Sequence, residues 1–163
     1  MTRQQKWDIR FLQLAVTVAQ WSKDPSTKVG AVIADQKNRV IGLGYNGFPR
    51  GTSDSEELLN NRAVKYERVI HGEVNAIMNA NGSVEGCTLY EIPFCSCARC
   101  AALVIQAGIV RVVYPIHDKY SVMMEKQERW KESMEIGFQM FAEAGVELTP
   151  YYHSDVGVDW SKV

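Results

Sequence analysis

Long hydrophobic runs are missing from these 163 residues. No apolar stretch approaches the ~20 residues a helix needs to cross a membrane, which excludes a helical membrane protein. An excess of one charge is missing too. Eighteen basic side chains face nineteen acidic ones, for a net charge of −1, so no basic field advertises a polynucleotide partner. Cysteine is scarce and unevenly placed: of the four, Cys95, Cys97 and Cys100 fall within six residues. That clustering excludes a secreted disulfide framework and fits a metal site in a reducing compartment. Internal repeats and low-complexity linkers are absent, and the length suits one domain with its own apolar core. Met1-Thr2-Arg3-Gln4 leads straight into an amphipathic pattern and not into a signal peptide. The expectation is one soluble, cytoplasmic domain over 1–163, with about 152–163 as a C-terminal tail.

What is present is concentrated in two stretches, His71-Gly72-Glu73-Val74-Asn75-Ala76 and Ser96-Cys97-Ala98-Arg99-Cys100. Apolar residues at helical spacing follow each (Ala76, Ile77; Ala101, Leu103, Val104, Ile105), so each reads as a helix start. Cys97 and Cys100 are i and i+3 and share one face of the first turn. Free N–H groups and the positive helix end stabilise a thiolate there. Glu73 lies two residues past His71, roughly 200° around a helix, so it points beside a metal and not at it. A metalloprotease helix would need a second histidine at position 75, which is asparagine.

The expected set is therefore His71, Cys97 and Cys100 as ligands of a catalytic zinc (Zn2+), a fourth position open to water, and Glu73 as the acid/base. H-x-E followed by C-x-x-C is the signature of zinc nucleobase deaminases, although Ser96 stands where their proline is usual. Cys95 competes as a ligand. It lies five residues from Cys100, off the common helical face, and reads as a buried bystander. As a fourth ligand it would close the site and make the zinc structural.

The rest of the chain predicts an alternating α/β body. Trp7, Phe11, Leu14, Val18 and Trp21 recur at spacings of four, three, four and three, which marks a helix over 3–22 laid on an apolar surface and stopped by Pro25. Residues 29–34 and 39–44, joined by Asp35-Gln36-Lys37-Asn38, predict an antiparallel hairpin. It runs out into Gly44-Tyr45-Asn46-Gly47-Phe48-Pro49-Arg50-Gly51, where Gly and Pro leave the backbone free to approach a ligand or simply to turn. The polar stretch 52–70 is longer than a typical connection and holds helical turns at 56–59 and 62–68. Lys65, Arg68 and Arg50 offer cations for a phosphate, although a solvated face is the ordinary fate of each.

After the first ligand helix (71–80) come a strand over 87–92, the cysteine helix (97–107) with Ser96 as N-cap, and a strand over 109–114. That order is a βαβ unit with a buried parallel strand. Cys87 reads as a small buried hydrophobe and His117 as a hydrogen-bonded loop residue. A helix over 122–144 buries Trp130, Met134, Phe138 and Phe141, and a strand over 146–151 completes the body. The tail is expected to dock on the body or on a neighbouring subunit.

A family resemblance emerges from the longer motifs. They are Lys23-Asp24-Pro25-Ser26, Val29-Gly30-Ala31, Gly44-Tyr45-Asn46-Gly47, the run from Tyr66 through His71 to Asn79, Ile105-Gln106-Ala107-Gly108-Ile109, and Asp118-Lys119-Tyr120. Over roughly residues 7–150 the chain resembles the deoxycytidylate (dCMP) deaminases of the zinc-dependent cytidine/deoxycytidylate deaminase superfamily. The zinc motif alone indicates the superfamily; Gly-Tyr-Asn-Gly and the Asn-Ala-Ile-Met-Asn extension narrow it to this branch. The departures are Gly72 for the usual alanine, Ser96 for proline, and a divergent tail.

The resemblance implies an α/β class, as a three-layer α/β/α fold with a five-stranded mixed sheet. It implies hydrolysis of dCMP to dUMP and ammonia, supplying dUMP for thymidylate synthesis, with activation by dCTP and inhibition by dTTP. It also implies a homohexamer with no membrane or polynucleotide partner. Within the site, it assigns the Gly72 N–H to the base O2, the Ser96 carbonyl to the amino group and Asn46 to the sugar hydroxyl. Lys28, Lys119 and Tyr120 are offered to the phosphate. An effector triphosphate, carrying Mg2+, is expected at Gly44, Tyr45, Asn46, Gly47 and Arg50. The alternatives are a deaminase of free cytidine or cytosine, a tRNA adenosine deaminase, and a non-catalytic zinc module. A pI near 6.3 speaks against the tRNA enzyme.

Overall fold

Thr2 caps the first helix. Its hydroxyl accepts the Gln5 N–H at 3.1 Å, and the Gln5 side chain accepts the Thr2 N–H at 2.7 Å. In the computed structural model, which describes residues 1–163, helix α1 spans Arg3–Ala19 and buries Phe11, Leu12, Ala15, Val16, Val18 and Ala19. The buried stripe is shifted from the expected one: Trp7 and Leu14 are half-buried, and Trp21 is exposed past the helix end. Small residues set the line of contact. A Cβ on Gly30 would sit 2.0 Å from the Ala15 carbonyl oxygen, so the helix touches the sheet at its alanines.

Strands β1 (Gly30–Ala34) and β2 (Val40–Tyr45) form the antiparallel hairpin, with a register shift at Ile33/Ala34. Strand β3 (Thr88–Ile92) pairs antiparallel on the other side of β1. Strands β4 (Arg111–Ile116) and β5 (Glu147–Tyr152) add in parallel, so the mixed order is β2-β1-β3-β4-β5. Strand β4 begins two residues later than expected, because Gly108 turns the chain at φ 85° first. Helices α2 (Glu56–Asn60) and α3 (Arg62–Arg68) fill the polar connection, followed by α4 (Gly72–Met78), α5 (Ala98–Gln106), α6 (Met124–Glu143) and α7 (His153–Val156).

Alternation along the strands feeds two cores. Val32, Ala34, Tyr90, Ile92 and Val113 pack with α1 and with Val156, Trp160 and Val163 of the tail. Ala31, Ile33, Leu89, Val112 and Tyr114 pack on the opposite face with Ala76, Val104, Met134 and Phe141 of α4, α5 and α6. This is the expected three-layer α/β/α arrangement, with the tail docked on the body.

The same sheet creates a reactive edge. Gly30, at the start of β1, pairs with Tyr45 and Ile92, the last residues of β2 and β3. Both ligand helices begin beside that edge. Gly44 lets α4 come close: a Cβ there would lie 2.2 Å from the Ala76 nitrogen and from the Gly72 carbonyl oxygen. Gly44 therefore serves helix packing, which corrects its assignment to an effector site.

Candidate active site

His71 is the N-cap residue of α4, and Cys97, not Ser96, is the N-cap residue of α5, with Cys100 one turn in. The His71 Nδ1 lies 3.2 Å from the Cys100 Sγ and 3.6 Å from the Cys97 Sγ. All three donor atoms fall within 4.8 Å of one another. Tetrahedral zinc separates neighbouring sulfur and nitrogen ligands by roughly 3.5–3.8 Å. Two soft sulfurs and one imidazole at this spacing fit zinc. Cys95 is not part of the convergent set; it is buried, lines the cleft wall, and its thiol is pushed up by burial.

Charge in the trio is shared. The hydrogen bond to Cys100 pulls Cys97 down to about 4, against burial and with help from His71. The same contact, with burial, pushes Cys100 up. Contact with Cys97 raises His71 to about 8 against its burial.

Glu73 lies on the same cleft. It is 5% exposed, and its Oε2 is buried with no hydrogen-bond partner. The cleft is bounded by His71, Glu73 and Cys97 together with residues of α3 and α6. Trp130 of α6 meets the His71 ring edge-on at 6.2 Å, and Tyr66 of α3 meets Trp130 at 6.0 Å. Ile92, Phe94 and Val29 supply further apolar wall.

The polar wall is built around Asp24. Its Oδ1 accepts from the Ser26 and Thr27 N–H groups and from Lys65 Nζ at 3.1 Å, and its Oδ2 from Asn46 Nδ2 at 3.4 Å. Lys65 is only 7% exposed, which corrects the expected solvated face: a buried cation needs the carboxylate it has found. Asn46 lines the cleft, but its Oδ1 accepts the Val29 N–H at 2.8 Å and its Nδ2 donates to the Thr27 carbonyl at 3.0 Å. Much of its polarity therefore fixes the loop.

Other expected contacts fall elsewhere. Ser96 is fully buried and absent from the cleft lining, and its carbonyl oxygen lies 3.2 Å from where a Cβ on Gly137 of α6 would sit. It faces α6, not the cleft. Gly72 is buried at the helix start, where a Cβ would come within 3.0 Å of Val29 Cγ1. Lys119 and Tyr120 do not line the cleft; they lie on the turn after β4, with Lys119 Nζ 5.0 Å over the exposed Tyr120 ring. Lys28 lines a neighbouring polar cavity with Lys126 and Lys162.

Tyr45, Asn46 and Gly47 line a second cavity with Trp21, Phe48 and Leu59. Arg50 is outside it, donating to the Asn79 side chain at 3.1 Å. His117 is the expected loop residue: its ring bonds the Pro93 carbonyl and Ser121 Oγ, both at 2.6 Å.

Three groups were not singled out as site residues from the sequence. Glu91 on β3 is fully buried against Ser96 and Glu73. Its signal was available, since a lone acid in a strand buried on both faces is costly unless something nearby holds it. Asp24 and Arg129 reach the cleft from distant parts of the chain; Asp24 stands in the Lys23-Asp24-Pro25-Ser26 motif, whereas Arg129 carries no local signal.

Sheet order, helix placement and donor set define a zinc-dependent deaminase domain. Residues 5–116 match the family profile described as the cytidine and deoxycytidylate deaminase zinc-binding region, and the chain belongs to that family. It is 44% identical to human deoxycytidylate deaminase over 121 residues, which cover 71% of this chain and 67% of that one. It is 43% identical over 144 residues to an uncharacterized deaminase of Aliivibrio fischeri, covering 88% and 92%. The fold superposes on the dCMP deaminase of cyanophage S-TIM5, solved in complex with dCMP and dUMP, with TM-score 0.68, 23% identity, and coverage of 93% of this chain and 99% of that one. No helix is long and apolar enough to cross a membrane.

Proposed function

We propose that this chain hydrolyses dCMP to dUMP and ammonia. The observation that carries it is a convergent His71–Cys97–Cys100 donor trio, of which His71 and Cys97 line the same cleft as Glu73, whose buried Oε2 has no partner. The identity to deoxycytidylate deaminases supports the choice of substrate.

His71, Cys97 and Cys100 would hold the zinc, which when bound supplies the Lewis acidity that makes a water acidic near neutral pH. Glu73 takes a proton from the attacking water and delivers it to N3 of the base, so that C4 accepts the water oxygen. Glu73 then passes the second proton to the amino nitrogen. The C4–N bond breaks, ammonia leaves, and the carboxylate is regenerated. Trp130, Phe94 and Ile92 wall off solvent from the base. By the resemblance, Asn46, which lines the cleft, takes the sugar hydroxyl, and the Gly72 N–H takes the base O2. The Ser96 carbonyl is withdrawn toward α6, so acceptance from the amino group passes to the cleft-lining turn at Phe94 and Cys95. Arg129 lines the cleft, is exposed and makes no ion pair, and is the cation best placed for the 5′-phosphate. Lys28 stands one cavity away.

The second cavity shares Asp24, Asn46 and Val69 with the cleft. That common wall supports a regulatory reading in which dCTP, with Mg2+, activates and dTTP inhibits from there. Such coupling must be reciprocal. Exposed Trp21, Met78, Leu103 and Ile136 give surface for a homo-oligomer, taken as a hexamer from the resemblance. The product, dUMP, is a precursor for thymidylate synthesis in the cytoplasm.

Ammonia release from cytosine, cytidine, dCMP, dCTP and single-stranded DNA tests the substrate: dCMP should be turned over fastest, and a faster free nucleoside would overturn the choice. Glu73→Gln tests the mechanism. It should retain zinc and lose at least ~10³-fold in turnover, whereas near-normal deamination removes Glu73 from the chemistry.

A further inference from the structure

The deamination steps leave one buried ion pair of the cleft wall without a task. Helix α3 is started by Asn61, whose side chain accepts the Val64 N–H at 3.3 Å. Arg62, Tyr66 and Glu67 of this helix are exposed, while Lys65 is carried inward. Its ammonium meets Asp24 Oδ1 at 3.1 Å, with the two side chains only 9% and 10% exposed. Both residues line the cleft, together with Ser26, Thr27 and Asn46.

The bonds of the pair are unevenly shared. Asp24 Oδ1 accepts three N–H groups, from Ser26 at 2.8 Å, Thr27 at 3.1 Å and Lys65 at 3.1 Å. Asp24 Oδ2 has only the Asn46 amide, stretched to 3.4 Å. Lys65 spends one of its three ammonium donors, on Asp24. Charged groups this enclosed are costly to leave underbonded. The wall therefore offers an acceptor and donors side by side, with no net charge. A phosphate does not suit it, because Asp24 repels an anion and Arg129 is the cleft cation outside every ion pair. A hydroxyl donates and accepts at once, and the sugar of dCMP carries one, at C3′.

We propose that Asp24 and Lys65 are specificity-determining residues for the sugar: the 3′-hydroxyl donates to Asp24 Oδ2 and accepts from Lys65 Nζ. The proposal rests on the dCMP reading of the cleft. Asn46, given the same hydroxyl by the resemblance, already donates to the Thr27 carbonyl at 3.0 Å and accepts the Val29 N–H at 2.8 Å. It holds the loop beside Asp24, and the charged pair supplies the stronger, charge-assisted contacts. Neither member of the pair handles a proton of the reaction.

The test compares dCMP with its 3′-deoxy analogue, 2′,3′-dideoxycytidine monophosphate, on zinc-loaded, full-length protein. A site built to bond a hydroxyl rejects the analogue lacking it, because its own polar groups are then left unpaired. Wild type should therefore prefer dCMP by at least ~10²-fold in kcat/KM. A hydrogen bond to a charged group is worth roughly 10- to 100-fold. Lys65→Met should lose that factor on dCMP and stay within a few-fold of wild type on the analogue. Equal losses on the two substrates overturn the proposal, since they mark a pair that merely shapes the wall. So does an unchanged rate on dCMP, or a wild type that does not discriminate.

Lys65→Met strands a buried carboxylate and can fail to fold. In that case the double variant, Asp24→Asn with Lys65→Met, decides. It removes both charges and keeps an acceptor for the Ser26 and Thr27 N–H groups. Its preference for dCMP over the analogue should shrink at least ~10-fold, and a preference as large as wild type's overturns the proposal. Failure of the substrate reading looks different. If deoxycytidine outruns dCMP, that reading falls and the same comparison is decided on deoxycytidine and its 3′-deoxy analogue. Fastest turnover of cytosine, which has no sugar, sinks both.

Discussion

The two faces of the sheet each bury an acid, and they treat it in opposite ways. On the α1 side Asp8 is 1% exposed and fully matched. Arg111 grips both oxygens at 2.9 and 2.8 Å, Tyr90 and Tyr151 donate at 3.1 and 2.8 Å, and Gln4 adds a fifth bond at 2.9 Å. On the α4–α5 side Glu91 has Ser96 and another acid. Burial alone would raise Asp8, but Arg111, Gln4 and Tyr151 override it and hold its pKa below the usual value. Burial and Glu73 raise Glu91. A matched buried charge is architecture; a mismatched one beside a donor trio marks the place where protons are handled.

The difference can be broken by substitution. The largest effect should come from Glu73→Gln, through turnover and not through folding. Asp8→Ala should behave in the reverse manner. It strands Arg111 and should cost about 3–5 kcal/mol of stability, read by urea unfolding, while KM for dCMP in the folded fraction stays put. A fall in kcat without a fall in stability would break the contrast.

Arg129→Gln is the next step down. A charge-assisted bond is worth about 1.5–3 kcal/mol, roughly 10- to 100-fold, so KM for dCMP should rise by that factor and KM for deoxycytidine should not move. Equal effects on the two substrates would take Arg129 out of phosphate binding.

Acid and base should separate the faces more gently. Asp8 has a lowered folded pKa, so its contribution is complete above the ordinary value of 3.8 and disappears as pH falls through the folded value. Glu91 has a raised folded pKa, so its contribution is complete below the ordinary 4.5 and declines as pH rises toward the folded value. Asp8→Asn should therefore differ from wild type least in strong acid. Glu91→Gln should gain on wild type as pH climbs from 4.5. His117, lowered by burial to about 4, adds a loss of stability as pH drops from 6.5 through 4, and both comparisons must be made against that common slope. Parallel stability curves for both variants and wild type would contradict the assignment.

Much of the site was legible because its chemistry is local. His71 and Glu73 are neighbours in sequence, Cys97 and Cys100 share one turn, and each pair opens a helix whose apolar spacing is visible. The layers were legible for a similar reason, since strand and helix periods differ. What escaped was nonlocal. Lys65 was read as solvated because its partner Asp24 is 41 residues away. Arg129 meets the cleft only after β4 and α6 are in place. The phosphate was offered Lys28, Lys119 and Tyr120, but none of the three lines the cleft, and the Lys119 ammonium lies over the Tyr120 ring. Ser96 was read as an N-cap and a substrate contact, but Cys97 caps α5, the Ser96 carbonyl lies against Gly137 of α6, and its N–H and hydroxyl go to Glu91, five residues back on β3. Gly44 was read as ligand-facing because a glycine's freedom to turn and its room for a helix leave the same mark in sequence.

The most direct measurement is zinc X-ray absorption on the purified, fully loaded protein. The expected spectrum shows two sulfurs, one imidazole nitrogen and one light oxygen scatterer, as His71, Cys97, Cys100 and an exchangeable water require. A third sulfur, contributed by Cys95 in place of that oxygen, would contradict the catalytic reading.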